Sequence, residues 1–95
     1  VSRTFFSAAD CGEWRVTTDL VLEEAGSFTI LESWSSYGGA GPGGTAHGRW
    51  VQEGDTLVLS VWTSTIEVFP KGAELTCRTE GDHLIVGGQR FLRVP

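Results

Sequence analysis

From Trp14 to Val94 the chain alternates apolar and polar residues in short runs, each closed by a turn rich in Gly, Asp or Pro. In "WRVTTDLVLEE" Trp14, Val16, Leu20 and Leu22 fall on one face, while Arg15, Thr17, Asp19 and Glu23 fall on the other. A period of two sends one face of each run to a core and the other to water, and no long stretch keeps the three-and-four spacing of an amphipathic helix. The same logic returns in "SFTILESW", "GRWVQ", "TLVLSVW", "TIEVF", "ELTCRT", "HLIVG" and "QRFLRV". The spacing therefore predicts eight short strands, with "RTFFSAA" of the N-terminal segment 1–11 left as the one stretch that suits a helical turn.

Strands joined by tight turns pair antiparallel, because parallel pairing needs crossovers of a dozen or more residues. An eight-strand meander removes its exposed edges by closing on itself. The expected fold is thus all-β, a small antiparallel up-and-down barrel. At 95 residues the chain makes one domain, spanning 1–95, and buries about 60–65% of its unfolded surface. Eight strands leave an interior that side chains fill or that holds one small ligand.

Charge removes some partners. A formal charge of -5 and an isoelectric point near 4.8 argue against nucleic acid or an anionic membrane surface, which need a basic face. No run of eighteen apolar residues is present, so no membrane-spanning helix is expected. The segment "VSRTFFSAADC" lacks the apolar core of a signal peptide, and Asp10 departs from the small residue expected before a lipid-anchored cysteine.

Residues 38–48 hold six Gly and one Pro. A phosphate-cradling loop needs the Walker Lys and Ser/Thr and a helix N-terminus behind it, and here a strand follows. Segment 36–48 is accordingly expected to be a mobile connection between strands. Two cysteines allow one disulfide, Cys11 to Cys77, worth roughly 4 kcal/mol by loop entropy. That bond would indicate an extracytoplasmic home, and two buried thiols a cytoplasmic one. No CxxC or His-x-x-x-His spacing supports a metal site, and no cofactor motif is present.

Gly12-Glu13-Trp14 and Gly48-Arg49-Trp50 are each followed a few residues later by Leu-Val-Leu, and Gly26-Ser27-Phe28-Thr29-Ile30 lies between them. The second element extends as Gly48-Arg49-Trp50-Val51-Gln52-Glu53-Gly54-Asp55-Thr56-Leu57-Val58-Leu59. In these motifs the chain resembles the lipocalin-like small barrels, including the short bacterial ones of envelope-stress and copper-resistance lipoproteins. The resemblance implies an Arg near the chain end, Arg93 or else Arg90, packed over Trp14 to close the barrel floor. The chain departs from full lipocalins in its length and in lacking a long lid loop after the first strand.

Alternation aims Glu32 inward with Phe28, Ile30 and Trp34, with Arg93 as the expected partner of its carboxylate, unless a strand-end bulge turns it to water. Trp34 and Tyr37 flank the Gly-rich segment, His47 stands at its exit, and Trp62 falls on the outward face. Exposed aromatics beside a loop suit capture of a small ligand, a protein partner or a second copy of the chain. The leading expectation is a non-catalytic binding module whose ligand site draws on Glu32, Trp34, Tyr37, His47, Trp62 and Arg93. Two alternatives stand beside it: an inhibitor or immunity-type protein for a basic enzyme, and a small barrel enzyme using Glu32 or His47 as its one acid or base. The turn acids Glu53, Asp55, Glu80 and Asp82 read as turn chemistry and solubility.

Overall fold

The structure, a computed structural model, describes residues 3–94, with Cys11 described through its backbone alone. It is a closed antiparallel barrel of eight strands in sequential order. These are β1 (Arg3–Cys11), β2 (Trp14–Leu22), β3 (Ser27–Ser36), β4 (Gly39–Glu53), β5 (Thr56–Ser64), β6 (Glu74–Glu80), β7 (His83–Val86) and β8 (Gln89–Val94). The turns at 12–13, 37–38, 65–73 and 87–88 gather at one end, here the mouth, and those at 23–26, 54–55 and 81–82 at the other, the floor.

The number of strands is as the alternation predicts, but two of the segments are exchanged. "RTFFSAA" is not a helical turn: it lies in β1, which is paired with β2 over its whole length and through Thr4–Phe6 pairs with β8 to close the barrel. "TIEVF" is not a strand, for it lies in the connection from β5 to β6. Its Ile66 and Phe69 are nevertheless buried in the core. A three-residue spacing within one loop brings both side chains to the same side, so an apolar pattern that reads as strand serves a folded-in loop equally well. Ser64 Oγ fixes the start of that loop, accepting from Ile66 N at 2.9 Å.

The Gly-rich segment is not a mobile connection either. Only residues 37 and 38 turn; Gly39 onward belongs to β4, a strand of fifteen residues paired with β3 from its first residue. Two irregularities shape it. Gly43 is an extra residue opposite the step from Glu32 to Ser33, and Trp62 of β5 is extra opposite the step from His47 to Gly48. Because β5 begins to pair with β4 only at Ala46, the mouth half of β4 has a free outer edge, where Pro42 costs no ladder hydrogen bond.

Below the mouth the barrel is solid. Phe5, Leu20, Leu22, Phe28, Ile30, Leu57, Leu59, Leu84 and Phe91 are all buried, each in the inward phase of its strand. The floor is sealed by Trp50. Its indole N–H donates to the Glu23 carbonyl at 2.8 Å, and the Arg3 guanidinium sits 5.3 Å from its ring centre. An Arg-over-Trp closure therefore exists, but Arg3 and Trp50 form it. Trp14 stands at the mouth, packed edge-on against Trp34 at 5.0 Å, while Arg93 is exposed at the floor end and paired in register with Phe5. The sequence echo between Trp14 and Trp50 hides opposite placements, because the two strands run the same way but Trp14 opens β2 at the mouth while Trp50 lies near the floor end of β4.

Candidate functional site

The mouth holds an open cleft of about 470 Å³. Its inner wall is built by register. Ser7 pairs with Thr18 and Thr18 with Glu32, so three polar side chains stand side by side across β1, β2 and β3, all in the inward phase. Ser7 and Thr18 are buried, and Glu32 is half-buried. Gln89 of β8 donates its amide N–H to Ser7 Oγ at 2.9 Å, which fixes both side chains. Val16 adds apolar surface beside this row on β2, and Val68 and Phe69, carried by the 65–73 loop, complete the lining. An apolar cleft with a few convergent polar groups is the usual build of a small-molecule site.

Glu32 occupies the cleft as alternation predicts, and the bulge that threatened its orientation falls on the facing strand instead. An ideal Cβ at Gly43 would lie 2.8 Å from Glu32 Oε1, so the glycine at the bulge is what leaves room for the carboxylate. Arg93 does not partner it. That residue shares the inward phase with Phe91 but lies at the opposite end of the barrel. Arg90, at the cleft rim, is the cation on the same cleft.

The other predicted residues do not converge on Glu32. Trp34 is half-buried beside the mouth, its ring against Trp14 and over Gly41. Tyr37 is fully exposed at the tip of the β3–β4 hairpin. His47 lies on the outer wall, exposed, with its Nδ1 3.2 Å from Thr29 Oγ1. Trp62 is also outside, 56% exposed, with the Arg49 guanidinium 5.7 Å from its ring centre. Glu32 and His47 thus stand on opposite faces of one wall and cannot act on one bound molecule together.

Sequence reasoning missed Ser7, Thr18, Gln89 and Phe69. Thr18 carried a signal, being the one polar residue in the inward phase of β2 between Val16 and Leu20. Ser7 and Phe69 carried none, because their segments were assigned to the wrong kind of structure.

Among the described residues no fully buried side-chain polar atom lacks a hydrogen bond, and no group of three His, Cys, Asp or Glu gathers to hold a metal. Cys77 is buried, and desolvation pushes its thiol up to about 11. The side chain of Cys11 lies outside the described residues, and with it the Cys11–Cys77 pairing. Glu80, fully exposed, is held below its ordinary value by its hydrogen bond and ion pair with Arg78 at 2.6 Å. No helix among the described residues is long and apolar enough to cross a membrane.

No protein-family model matches the sequence, and no functionally curated protein matches it. Among solved structures the chain is similar to the Cpx pathway activator NlpE from Escherichia coli, with a TM-score of 0.64 at 20% sequence identity. The likeness covers 88% of this chain and 40% of the NlpE chain, so the barrel spans less than half of that protein. At this identity it is a likeness of fold, and it agrees with the small-barrel class that the Gly-x-Trp and Gly-Asp-x-Leu-x-Leu motifs resemble.

Proposed function

We propose that the protein is a non-catalytic binding module that holds a small apolar or aromatic molecule in the barrel mouth. The observation that carries this reading is the transverse row of Ser7, Thr18 and Glu32, which with the apolar side chains of Val16, Val68 and Phe69 lines a cleft of about 470 Å³. A barrel needing only stability would fill this level with apolar side chains, as it does one layer lower with Leu20 and Ile30. Native mass spectrometry of the protein purified from its own source tests the reading. A co-purified small mass is expected, and Ala9→Trp, which fills the cleft from its exposed rim, is expected to remove it. Loss of the mass in Trp62→Ala but not in Ala9→Trp would overturn the assignment, as would the absence of any small mass.

A second reading rests on the outer wall. Trp62, the extra residue at the bulge in β5, lies in the outward phase and is capped by Arg49 next to His47, a combination enriched at protein interfaces. In the same spectra a homodimer or heteromer dispersed by Trp62→Ala would favour it.

A further inference from the structure

A second groove, of about 340 Å³, runs along the outside of the seam where β8 meets β1, lined by Phe6, Ser7, Ala8, Arg15, Arg90 and Leu92. Its two ends differ in chemistry. Toward the floor, Phe6 and Leu92 are paired in register and form an apolar platform, with Leu92 50% exposed. Toward the mouth stand the guanidinium groups of Arg15 and Arg90.

Neither arginine has a hydrogen bond, ion pair or ring contact among the described residues. The nearby acids do not occupy the groove. Asp10 lies opposite Arg15 in register and Asp19 opposite Phe6, but neither forms an ion pair, and Glu80, which senses Arg90, accepts its hydrogen bond from Arg78. In a chain of net charge -5, two guanidinium groups line this one small groove and no carboxylate does. A guanidinium presents a planar fork that matches a carboxylate with two parallel hydrogen bonds.

We propose that this groove is a binding site separate from the mouth, for a small carboxylate with an apolar, ring-sized body. The carboxylate lies between Arg15 and Arg90, and the body lies along β1 over Phe6 and Leu92. The wall is thin here: Ser7, Ala8 and Arg90 border both this groove and the mouth cleft. The occupants are distinguished by charge: the groove is lined by Arg15 and Arg90 with no carboxylate, whereas the cleft adds the Glu32 carboxylate to Arg90.

The test is a titration of the ¹⁵N-labelled protein with 1-naphthoate, and in parallel with the neutral 1-naphthalenemethanol, followed by amide shifts. Saturable shifts at Phe6, Ala8 and Leu92 are expected with naphthoate, with affinity falling on the order of tenfold or more in Arg15→Gln/Arg90→Gln. Glu32→Gln and Ala9→Trp are expected to leave that affinity unchanged. All of the substituted positions lie outside the buried core, and far-UV circular dichroism checks that the variants keep the barrel. Equal affinity for the neutral analogue, shifts centred on Thr18 and Glu32 that survive the double substitution, or no saturable shift up to about 5 mM would each overturn the proposal.

Discussion

Gly48→Ala is expected to be the most damaging single-methyl change in the molecule. The position faces inward where β4 meets the bulge of β5, and a Cβ there would land on the Ser60 carbonyl oxygen, 2.9 Å from the Ser60 carbonyl carbon and 2.7 Å from Phe28 Cε2. Backbone on one side and a buried ring on the other leave no flexible group to move aside, so β5 must lift from β4. Overpacking costs about 1–3 kcal/mol, and each ladder hydrogen bond lost adds about 1 kcal/mol. With one or two such bonds the total is roughly 2–5 kcal/mol, against about 5–14 kcal/mol for a domain of this length. The melting temperature should fall by more than about 8 °C. Gly54→Ala is the control, since Gly54 has φ of 65° with no atom within 4 Å of an added Cβ, and should cost only the backbone term of about 1–2 kcal/mol. Urea unfolding followed by tryptophan fluorescence and circular dichroism measures both. A Gly48→Ala protein within about 1 kcal/mol of the parent, or more stable than Gly54→Ala, would refute the steric argument.

Gly43→Ala should behave differently, because the atom it meets first is the free end of Glu32: stability should change by less than about 1 kcal/mol while the Glu32 carboxylate resonance shifts and the mass retained in the mouth is lost. Cys77 should resist thiol reagents in a folded Cys11→Ser background and react once unfolded. Its folded pKa lies above the unfolded value, so the stability it contributes is complete below about pH 9 and is lost as pH rises toward 11, by about 2–3 kcal/mol in all; pH-dependent unfolding of Cys11→Ser beside Cys11→Ser/Cys77→Val isolates that slope.

The alternation made the barrel legible because β2, β3, β5 and β7 carry their buried apolar residues in one phase, Leu20 and Leu22, Phe28 and Ile30, Leu57, Leu59 and Val61, and Leu84 and Val86, with turn residues between the strands. It failed where side chains carry little information. The mouth half of β4 is Gly, Ala and Pro, whose strand conformation comes from the hydrogen-bonding partner β3 and not from any propensity of its own. In β1 the run Ser7-Ala8-Ala9 has no strong preference, and its conformation is set by β2 along its length. Glu32 was legible because phase survives along a strand. Its neighbours Ser7 and Thr18 were not, since which residues stand beside one another depends on register, and register is fixed by pairings far apart in sequence. The Arg-over-Trp closure was legible in kind, yet assigning it to Trp14 required knowing depth within the barrel.

The closing seam also governs how the chain reaches this structure. Seven of the eight strand contacts join neighbours in sequence and can form as hairpins or short excursions, each with a small loss of chain entropy. The eighth brings Thr4–Phe6 to Leu92–Val94, nearly the whole chain apart, through three residue pairs. Loop-closure entropy makes it the most expensive contact to form and the last to be rewarded. The open meander is therefore the natural folding intermediate, and the native barrel should breathe at this same seam first. Amide hydrogen exchange at Phe5 and Leu92 should be faster than at Leu20 and Ile30 in the middle of the β2–β3 pair.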